Sequence, residues 1–379
     1  MKKGKLAALL MAGAMLVGAL AGCGSDKTAG SDTPGSDTQP AAQTDTNTSA
    51  DSDVINVGIY DGSYLAVSVL VAREMGYFDD EGLNINWENV AGDGTAMVST
   101  GDLDLFTSGV NRVLTAVSEG DTNVHIVSGL MSEGCDYVAL NDFKLDELTS
   151  AQDFEGLSIA ACTGDPGLLW TQEFLQDAGV EADFVEFGSI AESVTAVQKG
   201  ECDIGIICGA SSYEALLTGS CKVLAQVVDF VGTFPCCRLQ ASANMVENRH
   251  DDLVKFIRAQ LRGYETYRND PETVGKILSD ISGQDASICI AKMYDSDEYD
   301  TPMTVGIDPD SDAIIGTYEK LKNLGVINKD TTYDIEPNLS ITPYQEALQS
   351  LIDEEPDNAL WQELMTRFEE NNAILLAKS

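Results

Sequence analysis

The sequence predicts an α/β protein of two similar lobes, each a doubly wound sheet flanked by helices, and three observations support this. Residues 54–76 have the pattern of a strand, a polar turn and a helix, which is the opening unit of such a lobe. The run Gly101-Asp102-Leu103-Asp104 before one predicted strand is echoed by Gly200-Glu201-Cys202-Asp203 before another. About 325 residues remain after the amino-terminal segments, enough for two domains of ordinary size.

The opening unit begins with the short apolar run 54–59, which is typical of a buried strand. A polar turn, 60–63, follows. The helical pattern 65–75 then ends at Gly76, which suits the left-handed position after a helix.

The same alternation of strands and helices continues along the chain. Apolar runs predict further strands at 83–90, 103–106, 124–130, 137–140, 157–161, 183–187, 204–208 and 223–228, with a returning strand within 234–245. Helical periodicity predicts an amphipathic helix over 251–269, ended by Pro271, and later helices at about 272–281, 312–324, 343–352 and 357–375.

The segment AREMGYFDDEGLNI, residues 72–85, resembles a signature of the nitrate/sulfonate/taurine-binding (NMT1/SsuA-like) proteins of ABC importers. The matching positions are Ala72, Glu74, Gly76, Tyr77, Phe78, Glu81, Gly82 and Leu83. The resemblance spans roughly residues 54–350 and says nothing specific about the ligand.

The resemblance implies the two-lobed periplasmic-binding-protein type II fold, with the ligand between the lobes. We expect lobe 1 to comprise residues 54–140 plus 237–379, and lobe 2 residues 141–236. The implied function is capture of a small organic solute and its delivery to the permease and ATPase subunits of an importer. The protein is then a monomer and not an enzyme, and its work is binding and hinge closure.

The amino terminus has the pattern of a targeting segment. Residues 1–22 read as a signal peptide, with a basic start and an apolar run too short to span a bilayer comfortably. Leu20-Ala21-Gly22-Cys23 matches a bacterial lipobox, which predicts lipidation of Cys23; the alternative is an ordinary signal peptide with a chance cysteine. Residues 23–53 then form a polar, disordered tether. We therefore expect a palmitate-type lipid anchor on the outer face of the cell membrane.

The chain is strongly acidic, with 62 acidic and 22 basic residues and a formal net charge of −40. Such a surface repels phosphate backbones and anionic headgroups, so nucleic acid and anionic lipid surfaces are excluded as ligands. The nine cysteines include no CxxC pair and the chain has two histidines, which argues against a structural zinc site. Cysteines in apolar runs, such as Cys208 and Cys289, are interpreted as small buried residues, mostly free thiols.

Ligands of doubly wound lobes bind outside the carboxyl ends of the strands, so the loops there hold the candidate site. The candidate ligand-binding residues are Tyr60, Asp61, Ser63, Tyr64, Asp93, Gly94, Thr95, Ser108, Asn111, Arg112, Thr163, Gly164, Asp165, Ser189, Ser211 and Tyr213. Gly94-Thr95 and the segment 164–167 open helices, whose unpaired N–H groups can hold an anion. The alternative is simple N-capping by Thr95 or Asp165, and both roles can hold at once.

The side chains of these loops favour a cationic solute over an oxyanion. Asp61, Asp93 and Asp165 are expected to rim the cleft together with aromatic residues, whereas Arg112 is the one plausible cation and Arg238 a distant second. Carboxylates with aromatic rings suit an amine, a zwitterion or a nitrogen heterocycle. A sulfonate or another oxyanion remains the alternative.

We expect neither a cofactor nor a metal. Asp308, Asp310 and Asp312 have the spacing of a calcium loop, but Ala313 stands where the turn needs glycine, and a helix start explains these acids better. No nucleophile elbow, P-loop or HExxH motif occurs. The alternatives are an enzyme akin to the pyrimidine-precursor synthases that share the fold, and a surface sensor.

Overall fold

A computed structural model of the chain describes residues 54–60, 63–91, 94–132, 134–208, 211–296, 299 and 301–378. The targeting segment, the lipobox and the tether lie outside the described residues, as do Asp61 and Asp93. No helix in the described part of the chain is long and apolar enough to cross a membrane.

Ten strands occur in the described residues, and each has a counterpart among the predicted ones. They are β1 (Val54–Ile59), β2 (Asn84–Asn89), β3 (Leu105–Gly109), β4 (Val124–Met131), β5 (Cys135–Leu140), β6 (Ser158–Cys162), β7 (Asp183–Phe187), β8 (Ile204–Cys208), β9 (Cys221–Gln226) and β10 (Cys237–Ser242).

The α-helices of the same residues number sixteen and lie between and after the strands. They are α1 (Val67–Met75), α2 (Tyr77–Asp80), α3 (Gly94–Thr100), α4 (Val110–Ser118), α5 (Pro166–Ala178), α6 (Ile190–Gln198), α7 (Ser211–Leu217), α8 (Val228–Val231), α9 (Ala243–Asn248), α10 (His250–Asn269), α11 (Pro271–Ser282), α12 (Ala286–Met293), α13 (Ser311–Leu324), α14 (Thr342–Glu354), α15 (Ala359–Asn371) and α16 (Ala373–Leu376).

The strands form two five-stranded sheets of the same design, which confirms the predicted fold class. The first sheet has the order β2-β1-β3-β10-β4 and the second the order β7-β6-β8-β5-β9. In each sheet the first three strands of the order pair in parallel. The fourth strand arrives from the other half of the chain and is antiparallel to both neighbours; it is β10 in the first sheet and β5 in the second. We call the first sheet with its helices the first lobe, and the second sheet with its helices the second lobe.

The chain passes between the lobes twice, and the first passage lies earlier than expected. Cys135–Leu140 was expected in lobe 1, but as β5 it hydrogen-bonds to β8 and β9 of the second sheet. The passage therefore falls between Met131, the last residue of β4, and Cys135. The return passage lies at 232–236, close to the expected position, because β10 begins at Cys237 and pairs with β3 and β4.

The first lobe holds most of the carboxyl-terminal helices against the outer face of its sheet. α10 buries Leu253, Ile257 and Leu261 completely, as its periodicity predicts. Each such side chain contributes about 1.5–3 kcal/mol when removed from water. Gly263 allows α10 to lie directly on α1, because a Cβ there would stand 2.1 Å from the Ser68 carbonyl oxygen.

Candidate functional site

Tyr60 and Ser108 stand at the carboxyl ends of β1 and β3, where the fold predicts the ligand site. The Tyr60 hydroxyl lies 3.4 Å from Ser108 Oγ, and its ring meets Phe106 edge-on at 5.2 Å. Gly94 opens α3 over the same Phe106, where a Cβ would come within 2.5 Å of the ring. These four residues form a compact polar and aromatic end to the first sheet.

Asp165 stands at the corresponding end of the second sheet. It is the N-cap of α5, accepting a hydrogen bond from the Gly167 backbone N–H at 2.8 Å with Pro166 at the first helical position, so the predicted capping is confirmed. Removal of the carboxyl from water raises the pKa of Asp165 to about 6, against the lowering effect of the Gly167 N–H.

A disulfide joins Cys135 and Cys208 beside this carboxylate. Cys208, which the sequence presents as a small buried residue with its pairing left open, is half-buried and disulfide-bonded, because β5 and β8 place the two cysteines directly opposite each other. Asp165 Oδ1 lies 2.9 Å from Cys208 Sγ and 3.7 Å from Cys135 Sγ. The other cysteines of the described residues are free, as expected for most of them: Cys162, Cys202, Cys221, Cys236, Cys237 and Cys289.

Cys236, in the return passage, connects the two ends of the site. Its carbonyl accepts a hydrogen bond from the Val110 N–H at 2.9 Å, next to β3, and its side chain packs against the cores of both lobes. The pKa of the Cys236 thiol is raised well above its ordinary value, first by the contact with Cys237 at 3.4 Å, then by burial, with a smaller contribution from Asp165. Cys236 therefore lies next to the end of β3 and close to Asp165.

On one side of the passage the lobes are in direct contact through Trp170. Its ring stacks on Phe234 at 5.7 Å, and Lys320 of α13 places its ammonium 3.6 Å from the ring centre while pairing with Glu173 at 2.9 Å. Asn111 lines the same small pocket, whose volume of about 10 Å³ is that of one water molecule. Asn111 thus lies in an interlobe contact too small for an organic solute.

On the other side Lys292 of α12 connects the lobes. Its fully buried side chain donates to Glu214 of α7 at 2.9 Å and to Gln284 at 2.7 Å. Its ammonium lies 5.4 Å from the centre of the Tyr64 ring, and the Tyr64 hydroxyl contacts Ser282 at 3.0 Å and the Gln284 amide oxygen. Burial raises the pKa of Tyr64. Tyr64 is therefore turned inward among the carboxyl-terminal helices rather than toward Tyr60.

Tyr213 lies near this second contact. Its ring packs 4.8 Å from that of Tyr299, whose hydroxyl donates to Asp136 Oδ2 at 2.8 Å and contacts Ser212 Oγ at 2.6 Å. Tyr213 is 6% exposed, so it forms part of a packed interlobe contact.

The remaining predicted residues are dispersed along the loops. Ser189 caps α6 through the Glu192 N–H at 3.3 Å, and Ser63 accepts from the Leu65 N–H at 3.3 Å. Thr95, the second residue of α3, is buried. Thr163, Gly164 and Arg112 are exposed, and Ser211, the first residue of α7, is half-buried.

Sequence reasoning missed the disulfide and both interlobe lysines. Lys292 and Lys320 lie in carboxyl-terminal helices far along the chain from Tyr64 and Trp170. No local periodicity connects such positions, so no signal in the single sequence could have paired them.

A family sequence model described as NMT1/THI5 like matches residues 66–274, which is 209 of the 379 residues. Comparison with curated proteins found no match.

Solved structures of similar fold include both binding proteins and an enzyme. The nitrate-binding protein NrtA of Synechocystis superposes with a TM-score of 0.64 at 14% identity, covering 79% of this chain and 89% of that one. The aliphatic sulphonate-binding protein SsuA of Escherichia coli gives 0.58 at 16%, covering 76% and 92%. The desulfurization enzyme DSZB gives 0.58 at 13%, covering 79% and 100%. These likenesses place the chain in the periplasmic-binding-protein type II fold.

Proposed function

The chain belongs to the NMT1/THI5-like family, and from that premise we propose that it is the extracytoplasmic solute-binding component of an ABC importer. It captures a small organic solute between its lobes and delivers it to a permease with its ATPase. The fold relatives that bind nitrate and sulphonate support this class of function.

The observation that carries the proposal is that Cys236 of the return passage lies next to the end of β3 and close to Asp165 of the second lobe. Tyr60 and Ser108 bring hydroxyl groups from the first sheet, and Asp165 brings a carboxylate from the second. We expect the lobes to move about the two passages, the one before Cys135 and the one at 232–236. A site divided between two hinged bodies is suited to capture and release.

The groups at this site favour a solute that carries a hydrogen-bond donor, such as an amine, a zwitterion or a nitrogen heterocycle. Asp165 accepts hydrogen bonds through its carboxylate, and the two hydroxyls can donate or accept. Arg238, the second cation considered for an oxyanion, is fully buried and hydrogen-bonded to the carbonyls of Pro309 and Met131. A sulfonate remains the alternative, held by Arg112 or by helix N–H groups.

Mass spectrometry of small molecules that copurify with the protein, followed by calorimetry with the compound found, tests the proposal. Tyr60→Phe and Ser108→Ala should each weaken binding about tenfold, the value of one lost hydrogen bond of about 1.4 kcal/mol. The matched control is Ser158→Ala, which removes a hydroxyl bonded to Asp203 at the amino end of β6 and should leave the affinity unchanged. Equal affinities in all three variants would contradict this site.

We also propose that Cys23 anchors the protein to the outer face of the membrane. The lipobox around Cys23 supports the anchor. Cys23→Ala should remove metabolic labelling by a palmitate analogue and release the protein from the membrane fraction. Retention of both properties in the variant would argue for a different mode of attachment.

A second candidate is an enzyme on the same fold, and Lys292 is the observation that favours it. Enzymes with a lysine-bound cofactor need a lysine in the site. Lys292 is buried and lies beside the Tyr64 ring. In the binding protein, the ion pair between Lys292 and Glu214 gives this lysine a structural role. An absorbance band of bound pyridoxal phosphate that is lost in Lys292→Arg would favour the enzyme over the binding protein.

A further inference from the structure

Cys135, Cys208 and Asp165 form a cluster of metal-ligating groups, of which the proposed solute site uses only Asp165. One sulfur from each cysteine and one carboxylate oxygen all lie within 4.8 Å of one another. The three residues come from β5, from the end of β8 and from the cap of α5. We call them the Cys-Cys-Asp cluster.

The contact between the carboxylate and the sulfurs is not explained by the disulfide. Asp165 Oδ1 lies 2.9 Å from Cys208 Sγ, but a disulfide sulfur carries no proton, so this contact is not a hydrogen bond. The Gly167 N–H holds the same oxygen in place at 2.8 Å. Asp165 Oδ1, which can accept hydrogen bonds or bind a cation, is thus held against two sulfurs that donate no hydrogen bond to it.

The space around the cluster is kept open by Gly167. A Cβ at this position would stand 3.0 Å from Cys135 Sγ and 3.2 Å from Asp165 Oδ1. Cys208 and Asp165 are half-buried as residues, although the Asp165 carboxyl itself is withdrawn from water. The opposed positions of the two cysteines in β5 and β8 keep both sulfurs on the Asp165 side.

We propose that, once the disulfide is reduced, the Cys-Cys-Asp cluster binds a thiophilic divalent cation such as Zn²⁺. Two thiolates and one carboxylate are three ligands of the type that zinc accepts, and a water or a solute atom completes a tetrahedral set. The cation lies between the two sulfurs and Asp165 Oδ1. In the disulfide form this oxygen has no favourable contact with the sulfurs.

The switch between the two forms balances as follows. A phosphine reductant supplies two electrons and the S–S bond breaks. Water gives its oxygen to the phosphine, which becomes a phosphine oxide, and its two protons complete the thiols. Binding of the cation then displaces these two protons, because thiolates are the ligands. Reoxidation removes two electrons, reforms the S–S bond and releases the cation.

The test is metal stoichiometry of the purified mature protein, measured anaerobically after dialysis against Zn²⁺. The phosphine-reduced protein should hold one Zn²⁺ per chain above the level of the oxidised protein. Cys135→Ser, Cys208→Ser and Asp165→Asn should each lose that ion. Cys202→Ser, which removes a free thiol elsewhere in the same lobe, should retain it.

A second readout guards against variants that fail to fold, as judged by circular dichroism. Co²⁺ added to the reduced wild-type protein should give a thiolate-to-cobalt charge-transfer band that disappears on oxidation with diamide. Absence of that band, equal Zn²⁺ in reduced and oxidised protein, or retention of the ion in Asp165→Asn would overturn the proposal. The site does not depend on transport, because none of these measurements requires the solute.

Discussion

Arg238 is fully buried on β10 and acts as a structural residue. Its guanidinium donates to the carbonyls of Pro309, Met131 and Cys237 and lies 3.6 Å from Asp310. A buried arginine with this many partners is held in place. The sequence makes Arg238 a distant second candidate for a ligand-binding cation in the cleft. Nothing in its local sequence distinguishes a ligand-binding arginine from a structural one.

The acidic residues near 310 likewise have structural roles. Asp310 is the N-cap of α13 and accepts from the Ala313 N–H, whereas Asp308 accepts from Asp310 N–H and from the Asn372 amide. Asp312 accepts from the Ile374 N–H. Because Asp310 caps α13, the interpretation of this segment as a helix start is confirmed. The segment also lacks the glycine that a calcium loop needs.

Asp308 gives a prediction for pH dependence. Burial raises its pKa to about 6, above the value of about 3.9 expected in the unfolded chain. Between these values the native state holds a proton that the unfolded state releases, so the contribution of Asp308 is greatest below about pH 4 and is lost as pH rises through 6. The loss is at most about 3 kcal/mol.

Urea unfolding of the wild type and of Asp308→Asn at pH 4.5 and 7.5 measures this effect. The wild type should lose stability relative to the variant on going to the higher pH, since asparagine does not titrate. A difference between the two proteins that is the same at both pH values would show that Asp308 is not protonated in the native state.

At the scale of elements, the contact of α10 with α1 depends on Gly263. Gly263→Ala would push a methyl group against the Ser68 carbonyl and should destabilise the protein by about 1–3 kcal/mol. Gly316 in α13 is the matched control, because a Cβ there meets nothing within 4 Å. Gly316→Ala should stabilise by about 0.5–1 kcal/mol, and urea midpoints check both signs.

The contact of α5 with α13 predicts an optical signal for lobe movement. Trp170 lies between Phe234 and Lys320, at the junction of the lobes, whereas Trp87 and Trp361 pack within the first lobe. Opening of the lobes should move the Lys320 ammonium away from the Trp170 ring and change the fluorescence of Trp170. Addition of the solute should therefore alter the emission of Trp87→Phe and Trp361→Phe proteins, but not that of Trp170→Phe. A response that persists in Trp170→Phe would place the movement elsewhere.

Most elements could be predicted because periods of two and of 3.6 residues are local properties. The strands 54–59 and 204–208 and the helix of 251–269 are examples. The short helix α12 was not predicted, since Ala286–Met293 has no clear polar face. The capping role of Asp165 could be predicted from the Asp-Pro-Gly sequence, whereas its disulfide neighbour depended on the register of β5 against β8.

For the whole molecule, Lys292 is the side chain that should keep the lobes closed in the absence of solute. Lys292→Met removes the donor to Glu214 and Gln284, while Glu214 stays half-exposed and hydrated. We expect a loss of about 1–2 kcal/mol and a larger radius of gyration by small-angle scattering.

The control for this change is Lys276→Met, which breaks an exposed ion pair with Asp280 within α11. It should leave both the stability and the radius of gyration nearly unchanged, because such pairs contribute little. An identical radius of gyration for Lys292→Met and the wild type would show that the closed form does not need this contact.

The insertion of β10 between β3 and β4 sets an order of events for a newly made chain. The strands β3 and β4 have no hydrogen bonds to each other and await a partner that begins only at Cys237. A chain that folds from its amino terminus must therefore wait until all strands of the second sheet have been made before β10 can join β3 to β4. Until then β3 and β4 keep open strand edges, which are surfaces prone to aggregation.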